Sequence, residues 1–171
     1  MKRSHLATAL AAAMVAVTGT ATAEDNSAVY VGKKAPYTDA STIKPAIVNE
    51  CDLPGAQIKL LKEQATAAGV NVVEDESAVA ANKGRVLQVE IFNALSQGNA
   101  FIGHGKQVTL KGKLFENGKE IGNFTAVRGS MGGAFAGYKS SCAVLHRCQT
   151  TLAKDILTWL KNPAKDSRIG E

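Results

Sequence analysis

Three stretches of the chain alternate hydrophobic and polar positions, as strands with one buried face do. They are residues 85–95, 108–114 and 121–127, and the inward positions of the first two are Leu87, Val89, Ile91, Val108, Leu110, Gly112 and Leu114. Between the second and the third stretch, Asn117 and Gly118 favour a tight turn with positive φ. The pattern therefore predicts an antiparallel hairpin beside a further strand.

Two other segments repeat their hydrophobic residues every three or four positions, which indicates amphipathic helices. The first is expected to be capped by Asp52, to carry Pro54 in its first turn and to end at Gly69. The second is expected to begin at Ser140 or Ser141 and to run to about residue 161, with an apolar stripe made by Cys142, Leu145, Cys148, Leu152, Ile156 and Trp159.

Shorter apolar runs complete the expected architecture. Residues 46–48 and 70–73 are interpreted as short strands, and 74–84 as a turn or a loose helix. An extended arm is expected over residues 24–44, in which 29–31 adds at most an edge strand. The fold class is therefore α+β: an antiparallel or mixed sheet of four to five strands with two helices on one face, forming one α/β domain at 45–161 before a tail at 162–171.

The first 23 residues have the three parts of a cleavable signal peptide. Lys2 and Arg3 give a basic start, residues 6–17 are apolar, and Ala21-Thr22-Ala23 supplies a small-residue cleavage site. The apolar run is too short to span a bilayer, which takes about 20 residues. We therefore expect a periplasmic protein exported through a cleaved signal. The cleavage point carries no cysteine, so a lipid anchor is not indicated, and no membrane span is expected.

Net charge gives little support for a nucleic-acid partner. The formal charge of the full chain is +5, and loss of Lys2 and Arg3 with the signal lowers it by two. A mildly basic exported domain is not expected to bind nucleic acid. Oligomeric state is not indicated by the sequence.

Four segments carry a resemblance to uncharacterised exported proteins of proteobacteria. They are residues 108–114, 118–124, 130–133 and 154–160, which read VTLKGKL, GKEIGNF, SMGG and KDILTWL. The layout is also similar, more distantly, to small envelope lipoprotein domains of the curli-secretion type and to activators of penicillin-binding proteins. The resemblance covers roughly residues 45–161. It implies an α/β sandwich and an envelope location, and it implies no activity.

The three cysteines predict one disulfide, because an oxidising compartment favours pairing. Cys142 and Cys148 lie six residues apart on one predicted helix, which separates their Cα atoms by about 9 Å. A disulfide needs less than about 7 Å. Cys51 is therefore expected to pair with Cys142 or with Cys148, and the remaining thiol to stay buried. His146 lies off the cysteine face of the helix, so no metal site is expected.

Two loops share the pattern S-x-G-x-A-F-x-G followed by a ring-bearing residue. They begin at Ser96 and Ser130, at strand ends that the predicted hairpin brings to the same end of the sheet. We call this end, residues 96–106 and 129–140, the loop edge. As a binding surface it presents Phe101, His104, Lys106, Arg128, Phe135, Tyr138 and Lys139. Alternatively, the two phenylalanines only close the end of the core.

No catalytic constellation is evident. The nucleophile pattern G-x-S-x-G and the zinc pattern H-E-x-x-H are both absent from the sequence. Carboxylates such as Asp155 are expected on solvated faces, and no cofactor is expected. One hydrolase alternative combines His104 with Ser96 or Ser130.

We therefore expect a non-enzymatic envelope protein whose loop edge contacts another protein. The alternative is that the same edge binds a small or anionic envelope ligand, such as a lipid head group or a glycan. Phe101 and Phe135 would serve protein contact, whereas Lys106, Arg128 and Lys139 would serve an anion.

Overall fold

The computed structural model describes residues 28–97, 105–131 and 140–170. The predicted signal peptide at 1–23 lies outside the described residues. In chain order the elements are β1 (Val29–Val31), a short 3-10 helix (Ala40–Thr42), α1 (Pro45–Glu50), α2 (Leu53–Ala68), β2 (Val72–Glu74), α3 (Glu76–Ala81), β3 (Arg85–Ser96), β4 (Lys106–Glu116), β5 (Lys119–Ser130), α4 (Ser141–Lys161) and β6 (Ser167–Ile169).

The described strands form one mixed sheet in the order β2-β1-β3-β4-β5-β6. The central strands β3, β4 and β5 are antiparallel, which confirms the predicted hairpin of β4 and β5. β1 is parallel to both β2 and β3, and β6 is parallel to β5. The fold class α+β is confirmed, whereas the described residues contain six strands and four α-helices instead of the expected four to five strands and two helices.

The β4–β5 hairpin turns at the two residues that the sequence indicates. Asn117 and Gly118 have φ angles of 48° and 84°. Left-handed backbone at both positions matches the twist of the flanking strands, and asparagine and glycine adopt it with little strain. This turn, together with a one-residue register shift between Leu114 and Phe115, brings Lys106 opposite Ser130 at the far end of the hairpin.

Both long helices begin at side-chain caps. The carboxylate of Asp52 accepts a hydrogen bond from the backbone N–H of Gly55 at 3.3 Å, and Gly69 ends α2 with a φ of 68°. The hydroxyl of Ser140 accepts from the N–H of Ala143 at 3.2 Å at the start of α4. Each cap satisfies a backbone donor that the first turn of a helix leaves without an intrahelical partner.

The core lies between one face of the sheet and helices α2 and α4. Phe124 of β5 meets Trp159 of α4 edge to face, with ring centroids 4.9 Å apart. Gly112 of β4 faces Phe124 across the strands, where the absence of a side chain makes room for the ring. The described helices include none with the length and apolar content needed to cross a bilayer.

The predicted strand at 46–48 is wrong, because these residues belong to α1. Pro45 opens this helix at a position where its missing N–H is not needed, and the N–H of Cys51 bonds to the carbonyl of Ile47 at 3.1 Å. Only Ile47 of the six helical residues is buried. A three-residue apolar run does not distinguish a strand from a short helix.

The edge position expected for residues 29–31 is also wrong. β1 lies between β2 and β3, and Val29 and Val31 are buried. The chain stays beside β3 after β1, since the N–H of Ile91 donates to the carbonyl of Pro36 at 2.7 Å and the N–H of Thr38 donates to the carbonyl of Ile91 at 3.0 Å. Residues 29–38 are thus held by backbone hydrogen bonds that a loose arm would lack.

The segment after residue 161 also contributes to the sheet. β6 pairs with β5, and the indole N–H of Trp159 donates to the hydroxyl of Ser167 at 3.0 Å. The N–H of Asn123 donates to the carbonyl of Ala164 at 3.2 Å. Residues 164–169, which were expected to form a tail, therefore close one edge of the sheet.

Candidate functional site

The described ends of the two loops lie side by side on three neighbouring strands. Ser96 ends β3, Lys106 begins β4 and Ser130 ends β5, and the register pairs Lys106 with both serines. The hydroxyl of Ser96 lies 3.1 Å from that of Ser141, in the first turn of α4. The loop edge is thus built from three strand ends and one helix start.

Only part of the predicted binding surface falls within the described residues. Lys106 and Arg128 do so. The remaining residues of that surface lie outside the described residues, and they are Phe101, His104, Phe135, Tyr138 and Lys139. The predicted proximity of the two phenylalanines and the hydrolase alternative with His104 therefore stay predictions.

Arg128 forms an ion pair with Asp155, a carboxylate that the sequence analysis expects on a solvated face. Its Nε lies 2.9 Å from Oδ2 of Asp155 and its Nη2 lies 3.2 Å from Oδ1, so the two groups form a bidentate pair. The side chains keep only 29% and 22% of their exposure. The pair ties β5 to α4, and its charges compensate each other, which argues against Arg128 as a main anion contact.

Lys106 lies directly after a loop and is buried. It is the first residue of β4 and keeps only 5% of its exposure. Burial, together with the neighbouring positive charge of Lys44, lowers the pKa of Lys106. The ammonium of Lys44 donates to the backbone carbonyl of Ser96 at 2.8 Å, which places both lysines at the end of β3.

A disulfide fastens the start of α4 beside this edge. Cys51 is bonded to Cys142 with their Cα atoms 5.0 Å apart, which decides between the two predicted pairings. Cys148 is a buried free thiol, and burial raises its pKa. The ring Nε2–H of His146 donates to the carbonyl of Cys51 at 2.7 Å, so this histidine reinforces the same junction.

A shallow groove of about 300 Å³ opens at the loop edge. Leu95, Gln107 and Met131 line it together with Gly105 and Gly129. Met131 keeps 66% of its exposure, the largest value among the exposed large hydrophobic residues of the described chain. An exposed flexible thioether beside an open groove suits contact with another apolar surface.

A second groove, of about 570 Å³, is lined by residues of β3, β4 and β5 together with Ile58 of α2, and the sequence does not indicate it. Glu76 of α3, Glu90 and Lys113 are among its lining residues. The ammonium of Lys113 lies 3.5 Å from Oε2 of Glu120. The ammonium of Lys111 lies 3.7 Å from the centre of the Phe92 ring. Acidic and basic side chains both line this groove, so their charges partly offset each other.

The described residues hold no group of three or more histidine, cysteine, aspartate or glutamate side chains placed to bind a metal ion. The carboxylate of Glu76 accepts the backbone N–H of Lys33 at 2.6 Å, and the carboxylate of Glu74 accepts from the ammonium of Lys62 at 2.7 Å. These acids therefore stabilise the fold locally.

No protein-family model matches the chain, and no curated protein matches it. Among solved structures, the fold is similar to that of a hypothetical protein from Chlamydia trachomatis, with 8% identity over 80% of this chain and 96% of that one and a TM-score of 0.56. A Xanthomonas campestris protein described by the family model DUF330 has 12% identity over 83% and 88% of the two chains and a TM-score of 0.53.

A minor lipoprotein from Acinetobacter baumannii has 15% identity to this chain, covers 80% of it and 93% of its own length, and has a TM-score of 0.47. At these identities the first two likenesses concern the fold. They support the α+β arrangement and leave the activity to be argued from the chain's own residues.

Proposed function

We propose that this chain is exported by its signal peptide into a bacterial envelope and works there as a non-enzymatic protein-interaction module. The contact surface is the loop edge, residues 96–106 and 129–140. The observation that carries the proposal is the exposed Met131 beside the groove at the described base of both loops.

The scaffold under this surface is rigid, which favours recognition. Three strand ends are joined by ladder hydrogen bonds, and the Cys51–Cys142 disulfide holds the start of α4. Loops on such a frame present side chains at defined positions, and a preorganised surface loses less conformational entropy when a partner binds.

The chemistry of the groove fits an apolar side chain of a protein partner. Leu95 and Met131 supply apolar contact, and Gly105 and Gly129 leave backbone accessible at the strand ends. A Cβ added at Gly105 would lie 3.8 Å from Sδ of Met131, and one added at Gly129 would lie 3.7 Å from the carbonyl oxygen of Lys106, so neither position is crowded. A partner residue that fills the groove would also cover Met131.

Photo-crosslinking in living cells tests this proposal. A photoreactive amino acid replaces Met131, and the matched control carries the same probe at Lys119, which is exposed at the hairpin turn on the opposite end of the sheet. We expect a discrete protein adduct from position 131 and none from position 119.

Adducts of equal yield from both positions would show random collisions and contradict the proposal. The absence of any adduct from position 131 in a folded, exported protein would also contradict it. Cell fractionation of the same cultures checks export separately, because a chain retained in the cytoplasm would contradict the envelope location.

A further inference from the structure

Two glutamine side chains, one on each of the packed helices α2 and α4, are fully buried. Gln57 and Gln149 both keep 0% of their exposure. An amide taken out of water without a hydrogen-bond partner costs free energy, so buried amides in native proteins are nearly always hydrogen bonded. Within residues 28–97, 105–131 and 140–170, three of the four polar atoms of these two side chains have no such partner.

The remaining polar atom fixes the orientation of Gln149. Its Nε2 donates a hydrogen bond to the backbone carbonyl of Leu53 at 2.8 Å. Because a carbonyl only accepts hydrogen bonds, the nitrogen must be the atom at this position, and Oε1 is the atom directed elsewhere. This Oε1 is a buried acceptor that receives no hydrogen bond from the described part of the chain.

Gln57 lies on the same face of α2 as Leu53, the residue that Gln149 contacts. The two are four residues apart in one helix, a spacing that places side chains on one face. In an α-helix the backbone N–H of Gln57 is directed to the carbonyl of Leu53, so the backbone of Gln57 and the amide of Gln149 meet at this carbonyl. The unpaired atoms of both glutamines therefore lie in the same part of the interface.

We propose that Gln57 and Gln149 bind a water molecule between α2 and α4. The water accepts a hydrogen bond from Nε2 of Gln57 and donates one to Oε1 of Gln149, and Oε1 of Gln57 offers a further acceptor at the same site. Buried waters typically make about three hydrogen bonds to polar groups that the protein leaves unpaired. The site lies in the core, so the inference does not rest on the protein-interaction role of the loop edge.

Water fits these three atoms better than an ion does. They are two acceptors and one donor group, all neutral, and water is a neutral molecule that both donates and accepts. An ion buried here would need a compensating charge, which an amide does not supply. Both side chains are completely buried, so the occupant has to be as small as water.

The water extends a polar joint that α4 already makes with the start of α2. His146 bonds to the carbonyl of Cys51, and Gln149 bonds to that of Leu53. Gln57 is the next polar residue along this face of α2, and the water connects it to the same joint. Sliding one helix along the other would leave these amides among apolar side chains, so the joint favours a single alignment of α2 and α4.

The test counts long-lived water molecules by oxygen-17 relaxation dispersion of the protein in solution. Gln57→Met keeps a side chain of similar length and removes both of its unpaired atoms. Gln88→Met makes the same exchange at an exposed position of β3 and is the matched control. We expect the dispersion amplitude of Gln57→Met to fall by the contribution of at least one water molecule, and that of Gln88→Met to equal the amplitude of the wild type.

Proton NMR of the wild type keeps the test decisive if Gln57→Met does not fold. The side-chain N–H protons of Gln57 should show cross-peaks to water, with the sign expected for a water that tumbles with the protein. Cross-peaks to the Gln149 amide in place of water would show that the glutamines pair directly, and would overturn the proposal. A folded Gln57→Met with unchanged dispersion amplitude would also overturn it, and so would an equal loss in Gln88→Met.

Discussion

Single residues decide how tightly the sheet and α4 fit together, and Gly112 is the clearest case. A Cβ built at this position would lie 2.3 Å from Cζ of Phe124, whose ring is in turn held by Trp159. An inward glycine in a strand usually means that another group occupies its place. Here that group is the Phe124 ring of β5, which occupies the space where a side chain at Gly112 of β4 would lie.

Gly112→Ala should lower the free energy of unfolding by about 1–3 kcal/mol, because the Phe124 ring has to shift within a packed core. The control is Gly129→Ala on the neighbouring strand, where the nearest atom to the new Cβ, the carbonyl oxygen of Lys106, lies at 3.7 Å. Urea unfolding of the two variants checks the difference. Equal midpoints would show that the core accommodates the methyl group without cost.

At the scale of elements, the sequence predicted those helices and strands whose formation depends on neighbouring residues in the chain. The hairpin and both long helices follow from periodicity and from Asp52, Gly69 and the Asn117-Gly118 turn. β1, β2 and β6 have three residues each, too few to show a period, and their parallel partners lie far away in the sequence. The burial of Lys106 could not be predicted from the sequence either, because it depends on residues that only the tertiary structure brings near it.

Helix α3 depends on one carboxylate. Oδ1 of Asp75 accepts hydrogen bonds from the hydroxyl and the N–H of Ser77 and from the N–H of Ala78. The Ser77 hydroxyl bond is the main cause of the lowered pKa of Asp75, and the N–H groups add to it. The folded state therefore favours the charged carboxylate, and this stabilisation is complete above the ordinary pKa of an aspartate.

The cap should be lost as the pH falls through the lowered pKa of Asp75, and amide hydrogen exchange of residues 76–81, corrected for intrinsic rates, should accelerate there. Asp75→Ala should show fast exchange at every pH. Asp75→Asn retains the cap and does not titrate, so it separates Asp75 from Glu76, whose carboxylate binds the N–H of Lys33. The same acid-induced acceleration in the Asn variant would contradict this assignment.

At the scale of the whole molecule, one covalent link joins the start of α2 to the start of α4. The Cys51–Cys142 disulfide closes a loop whose ends are 91 residues apart in the sequence. α2 and α4 already pack against each other, so the bond restricts the unfolded chain far more than the folded one.

Replacing both Cys51 and Cys142 by serine should lower the free energy of unfolding by about 4 kcal/mol, since the unfolded chain regains the conformations that the closed loop excludes. Denaturant unfolding of the double variant measures this loss, with Cys148→Ser as the control for a buried thiol outside the bond. The intact mass of the oxidised wild type should be lower than the reduced mass by two hydrogens. A mass matching three free thiols would contradict the bond.

The place of β1 in the sheet has a consequence for how the chain is made. Synthesis delivers Val29–Val31 first, yet this strand lies between two strands that follow it, β2 and β3. Its partner Arg85 is delivered more than fifty residues later. The order of assembly therefore cannot follow the order of synthesis. In a nascent chain that stops before residue 85, the edge of β1 that pairs with β3 has no partner. β1 can join the rest of the sheet only after β3 has been synthesised.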